Sequence, residues 1–176
     1  MKKQKNENHG RFIAMPFLSI AFFVLILLYP ATTYAGDKAD FSGEWTLNED
    51  KSEMGEGRFR PSATLKITQA ENSLVIDRTR IGRDGEQRKI KDEYTLDGEA
   101  KLTETERGST KSDASWSEDG KTLTINSHRK MTREGQTFEI TSVETWELSD
   151  DGSALTIKSS ISSTRGERSI VLVYNK

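Results

Sequence analysis

Cysteine is missing from this 176-residue chain, histidine occurs only twice and proline three times. Without thiols there is no disulfide framework, no sulfur nucleophile, no thiolate-bound zinc and no lipid anchor on a cysteine. A strong excess of positive charge is missing too. Lysine and arginine number 26 against 28 aspartate and glutamate residues, which argues against nucleic acid as a partner, because phosphate recognition calls for a basic face. No helical periodicity of useful length appears, and a single long apolar run interrupts an otherwise polar chain.

That run, "FIAMPFLSIAFFVLILLY" at residues 12–29, follows a basic start carrying Lys2, Lys3, Lys5 and Arg11 against one acid, Glu7. A positive segment followed by a greasy one reads as an export signal. "ATTYA" then ends on Ala35 with Thr33 two residues earlier, both small enough for a signal peptidase. The expectation is a signal peptide over 1–35, cut after Ala35, and a periplasmic or secreted product that meets the membrane only through this segment before cleavage. The alternative is an uncleaved anchor, since 18 apolar residues reach the lower limit for spanning a bilayer. Residues 36–176 then form one domain of 141 residues, with 22 basic and 27 acidic side chains and a net charge of −5. A domain of that length buries about two thirds of its unfolded surface and folds without staples.

Within the domain, turn signals such as "GRDG", "EDGK", "REGQ" and "DDGS" recur every 10 to 20 residues. Between them lie alternating runs rich in Thr, Ile, Leu, Val and aromatics, the pattern of antiparallel hairpins. About ten strands are expected, at 41–48, 63–69, 73–81, 88–96, 100–105, 111–117, 121–131, 136–148, 154–161 and 167–174. The fold class is therefore all-β, an antiparallel up-and-down meander of eight to ten strands. Closing it into a barrel removes the two raw edges.

Turn chemistry also fixes register, because cross-strand partners share a face. A two-residue turn at Asp151-Gly152 sets Trp146 opposite Ile157 and Glu144 opposite Ser159. One at Glu134-Gly135 sets Met131 opposite Phe138 and Ser127 opposite Ser142. One at Asp119-Gly120 sets Trp116 opposite Leu123, and a three-residue turn ending on a left-handed Gly85 sets Leu74 opposite Tyr94 and Ile76 opposite Asp92. Every apolar set then falls on one inward face. At one end this face is a packed floor built from Leu74, Ile76, Tyr94, Leu96, Leu102, Trp116, Leu123, Ile125, Trp146, Leu148, Leu155, Ile157 and Tyr174, with Trp45 as its plug. Above it the inward face turns polar at Arg78, Arg80, Asp92, Glu104, Ser112, Ser127, Arg129, Ser142, Glu144 and Ser159. Apolar residues return above the belt at Met131, Phe138, Ile161 and Ile170. The connection "NEDKSEMGEGRFRP" after the first strand emerges at this upper mouth, as a flap over it or as a plain surface loop.

The opening "FSGEWTL", residues 41–47, resembles the Gly-x-Trp start of the lipocalin and fatty-acid-binding-protein superfamily. The resemblance implies a lipocalin-like barrel whose first-strand Trp closes one end, and the likeness is to bacterial exported domains of unassigned activity. The chain departs from the lipocalins in lacking their later short motifs and a disulfide. Its ten strands sit nearer the fatty-acid-binding count than the lipocalin eight.

A dry, unpaired charge in the belt would cost several kcal/mol, so its three arginines and three acids are paired, wet or both. On one reading they form an internal ion network. On the other, Arg78, Arg80, Asp92, Glu104, Ser127, Arg129, Ser142, Glu144 and Ser159 orient the polar part of a ligand whose body rests on the apolar residues. With three charges of each sign, no ligand charge is selected. His128 falls on the outer face, "GEGRFR" lacks the Lys-Ser/Thr of a phosphate loop, and no nucleophile, base and orienting group converge, so no catalytic residue, metal site or cofactor is expected. Two functions stay open: an exported binding protein for a small hydrophobic or amphipathic ligand in the lumen, or an envelope interaction or structural protein with a self-filled barrel.

Overall fold

The computed structural model describes residues 37–55, 60–106, 108–164 and 166–176. The signal peptide expected over 1–35, the anchor alternative and the cut after Ala35 lie outside the described residues, as does the stretch 56–59 of the first connection.

Ten strands form one antiparallel sheet: β1 (Gly43–Leu47), β2 (Thr64–Ala70), β3 (Ser73–Ile81), β4 (Gln87–Thr95), β5 (Lys101–Thr105), β6 (Gly108–Trp116), β7 (Thr122–Arg133), β8 (Gln136–Leu148), β9 (Ala154–Ser163) and β10 (Gly166–Asn175). The only helical element among the described residues is a 3-10 turn at Glu49–Lys51. Consecutive strands pair, apart from β4 and β5, and β1 closes the ring against β10 through Leu47 opposite Tyr174.

The hairpin registers follow from the turns. Glu134 and Gly135 both take positive φ, 52° and 77°, the two left-handed residues that match a tight turn to the twist of its strands. Met131 consequently faces Phe138 and Ser127 faces Ser142. Trp146 faces Ile157 and Glu144 faces Ser159, Trp116 faces Leu123, and Leu74 and Ile76 face Tyr94 and Asp92. One alternation thus carries the apolar side chains to the same interior all round the sheet.

The floor is where most burial lies. Trp45, Phe41, Leu65, Leu74, Ile76, Leu123, Trp146, Leu155 and Tyr174 are fully buried, and a buried aromatic of this size contributes roughly 2–3 kcal/mol by leaving water. Phe41, just ahead of β1, stacks on Trp116 with centroids 5.7 Å apart and meets Trp146 edge-on at 5.8 Å. The Trp45 indole N–H donates to the Phe41 carbonyl at 2.9 Å. Gln69 holds the same segment by accepting from the Phe41 amide at 3.1 Å and donating to the Ala39 carbonyl at 2.8 Å.

Two features differ from the sequence expectation. The ten strands make the expected barrel, nearly closed, but β4 and β5 are the two ends of the sheet order and leave a seam. At the floor end the Gly98 amide donates to the Ala114 carbonyl at 3.0 Å, so the tail of β4 docks on β6 and passes β5 by. All five residues of β5 are exposed. The second difference is register. Thr105 pairs with Gly108, which puts Leu102 opposite Lys111 and Glu104 opposite Ser109, whereas the inward partners on β6 are Thr110, Ser112 and Ala114. Leu102 and Glu104 therefore point out of the barrel, and Leu102 keeps 59% of its surface in solvent.

The connection after β1 is a strap along the upper edge of β10. Asn48 donates its amide to Val173 at 2.8 Å, Glu53 and Val171 exchange backbone bonds at 2.7 and 2.8 Å, and the Ser52 hydroxyl accepts from the Val173 amide at 2.9 Å. Its described limb is thus tied to β10.

Candidate functional site

Above the floor the barrel is hollow. An inner chamber of about 270 Å³ is walled by the belt, and a recess of about 630 Å³ opens above it between the β7–β8 and β9–β10 hairpins. The two share Ile140 and Ile161 as walls.

Arg78, Arg80, Asp92, Ser127, Arg129, Ser142, Glu144 and Ser159 all line the inner chamber. Glu104 does not join them, for the register reason given above. Arg78 is the centre of the belt, with 11% of its side chain exposed. Its Nε donates to Asp92 Oδ2 at 2.7 Å, its Nη2 lies 3.7 Å from Glu144 Oε2, and its guanidinium rests over the Trp146 ring at 5.8 Å. Burial works against the charge on Arg78, but Glu144 and Asp92 outweigh it and hold the guanidinium protonated above its ordinary range. Glu144 is fixed from below by the Trp146 indole N–H at 3.1 Å. This trio is the internal ion network of the first reading, and it accounts for both acids of the chamber.

Among the described residues the other two arginines have no acid within ion-pair distance, although the Asp92 charge acts on Arg80. The contact of Arg80 is the Ser62 hydroxyl, 3.4 Å from its Nε, and that of Arg129 is the Thr110 hydroxyl at 3.3 Å. Burial, with the neighbouring Arg78 charge, pulls the Arg80 pKa below its ordinary value. Ser127 and Ser142 bond to each other at 2.7 Å. Tyr94 and Tyr174 close the bottom of the chamber, their phenols pushed up to about 12 chiefly by burial. The Tyr174 hydroxyl donates to the Ser62 carbonyl at 3.1 Å.

Met131 and Phe138, with Ile140 and Ile161, give the upper recess an apolar wall; Arg133, Glu139, Glu167 and Arg168 make its rim. Ile170, 1% exposed, lines the inner chamber. Sequence reasoning passed over Ile90 and Leu172, although each lies two residues from an inward neighbour, Asp92 and Tyr174, and parity alone would have found them. Pro61 and Ser62, which also line the chamber, had no local signal, since they reach it through a contact 112 residues away in the chain. His128 sits on the outer face, 3.5 Å from Glu139. Among the described residues no group of three or more His, Asp and Glu is placed to hold a metal ion.

No family model matches the chain, and no curated protein matches it. Among solved structures it is similar to zebrafish ileal bile acid-binding protein complexed with cholic acid, at 18% sequence identity and a TM-score of 0.49, over 77% of this chain and 98% of that one.

Proposed function

We propose that the chain is an exported binding protein that carries a small amphipathic molecule in its lumen, the polar end in the belt and the apolar body in the recess above. The observation that carries this reading is the layering of the hollow. A polar chamber of about 270 Å³ lies beneath an apolar-walled recess of about 630 Å³ with two isoleucines in common. Small-molecule sites have this composition, and the recess alone falls within their usual range of roughly 300–1,000 Å³. A self-filled barrel would instead bring side chains together across that space. The basic start, apolar run and small residues before Gly36 support export to the periplasm or beyond.

Native mass spectrometry of the freshly purified protein tests the binding role. A retained small molecule, or saturable uptake of the neutral probe N-phenyl-1-naphthylamine, is the expected result; an empty protein that leaves the probe dark overturns it. Export is tested separately by the mass of the protein in the periplasmic and culture fractions, where a chain starting at Gly36 is expected. An intact chain retained with the membranes contradicts it.

A further inference from the structure

We propose that β5 is a two-register strand: beside the pairing described above it takes one slipped by a single residue against β6, which carries Leu102 and Glu104 into the barrel and relines the seam side of the hollow. The slip is a property of the wall, and only the last of its tests rests on the binding role proposed above.

The turn into β6 is built for either register. Thr105 opposite Gly108 makes a two-residue connection, and both favoured forms of such a hairpin turn need a left-handed first residue. Glu134 supplies one in the β7–β8 hairpin at a φ of 52°, whereas Glu106 does not take a positive φ. The same stretch, "ERG" at residues 106–108, also spells a three-residue turn with glycine at its left-handed third place. The β3–β4 hairpin uses that turn on "RDG", residues 83–85. There Ile81 faces Gln87, the Gly82 amide donates to the Glu86 carbonyl at 2.8 Å, and Gly85 takes a φ of 79°. An equivalent turn at 106–108 moves Gly108 from its place opposite Thr105, where its φ is 141°, and sets Thr105 opposite Ser109.

Little resists the change. β5 pairs only with β6 and exposes all five residues, and a slip of one residue exchanges the two faces of a strand. In the present register Lys101, Thr103 and Thr105 are on the inward side, while Leu102 is 59% exposed and Glu104 has no hydrogen-bond or ion-pair partner among the described residues. After the slip Leu102 faces Ser112, Glu104 faces Thr110 and Lys101 faces Asp113. Leu102 then leaves water, and Lys101 and Asp113 form an oppositely charged pair on the outer face. Glu104 stands across Thr110 from Arg129, whose Nε already lies 3.3 Å from the Thr110 hydroxyl. Against these gains stands the bond from the Thr105 hydroxyl to the Gly108 carbonyl, 3.1 Å in the present register. The slip moves β5 toward the floor and slackens the exposed connection at 97–100.

A chain without cysteine lets introduced disulfides trap each register. Leu102→Cys with Lys111→Cys reports the present pairing and Leu102→Cys with Ser112→Cys the slipped one, because side chains on opposite faces cannot be bridged. Met131→Cys with Thr137→Cys, mismatched in the same way within the β7–β8 hairpin, measures ordinary fraying. With a slipped population of about 10%, the 102–112 pair is expected to close under oxidised glutathione about tenfold more slowly than 102–111 and well ahead of 131–137. Closure no faster than 131–137 overturns the slip. The unaltered protein gives a second reading by nuclear magnetic resonance. Doubled or exchange-broadened amide signals are expected at 101–105 and 109–113 and not in the middle of β8; single sharp signals throughout also overturn it. Once locked, the slipped form is expected to bind N-phenyl-1-naphthylamine about threefold more weakly than the other, since Leu102 and Glu104 then occupy the hollow. Equal binding overturns the relining, and a probe dark in both forms overturns the binding role while the cross-links still decide the register.

Discussion

Arg78 and Arg80 stand two residues apart on the same face of β3, yet the chamber treats them differently. Arg78 holds two acids and a tryptophan ring, so Arg78→Met leaves Asp92 and Glu144 facing one another without a cation. Breaking a buried pair costs about 3–5 kcal/mol; because the two acids keep 29% and 25% of their side-chain surface, a loss of roughly 2 kcal/mol is expected in urea unfolding. Arg80→Met removes a cation that feels the Asp92 charge but has no acid within ion-pair distance among the described residues, and is expected to change stability by less than about 1 kcal/mol, or to raise it. The reverse order would undo the charge account. The Arg78–Asp92 contact was legible in the sequence because the Gly85 turn sets the parity of both strands. The place of Glu104 was not, because its parity depends on how Thr105 meets Gly108, which the "ERGS" stretch leaves open. The phenols add a pH dependence. Tyr94 and Tyr174 are raised from 10 to about 12, first by burial, with Asp92 and Glu144 adding to Tyr94 and Glu144 to Tyr174 against the opposing charge of Arg78. The unfolded chain therefore loses these protons before the folded one. The stability they contribute, roughly 2 kcal/mol each, is complete below pH 10 and lost between pH 10 and about 12. The urea midpoint is expected to stay level to about pH 9 and then fall, and Tyr174→Phe to make that fall shallower by about half.

Among the elements, β5 carries the least packing and β8 and β9 the most regular pairing. β5 pairs only with β6 and exposes every side chain, while β8 pairs with β7 from Gln136 to Glu147 and with β9 from Ile140 to Leu148. Amide exchange should follow this gradient, with β5 exchanging roughly a thousandfold faster than the middle of β8; uniform protection would mean that the seam closes in solution. The turn into β6 has its own constraint. Gly108 adopts a φ of 141°, and a Cβ there would run into the Lys130 carbonyl, so Gly108→Ala is expected to cost roughly 3 kcal/mol through strain and displacement of the β7 edge. At this scale the sequence was most readable where a turn residue and an alternating run agreed, as in the hairpins at Gly85 and Gly135. The strap was unreadable, because the partner of Ser52 is Val173, 121 residues further on, and no local pattern announces such a bond.

In the molecule as a whole, burial is concentrated at one end and space at the other. The floor gathers Phe41 and all three tryptophans, and among the described residues the aromatic side chains lining the space above it are Tyr94 and Tyr174 at the bottom of the chamber and Phe138 in the recess. Closure of the meander was legible as a way to remove raw edges, but where it would fail was not, since that depends on Gly98 bonding to β6 past β5. The seam and the joint between β1 and β10 have a joint consequence for connectivity. In the sheet order β4-β3-β2-β1-β10-β9-β8-β7-β6-β5, the one neighbouring pair that is not consecutive in the chain is β1 with β10. The start of β1 and the end of β10 lie side by side there, with Lys176 against Gly43 and close enough to Asp40 to act on its charge. A circular permutant that links Lys176 to Lys38 and is opened between Gly98 and Glu99 would read from β5 round to β4 with every strand paired only to its immediate predecessor and successor. Its contact order would fall sharply, and it should refold about tenfold faster into the same hollow, as a ribbon wound once from edge to edge.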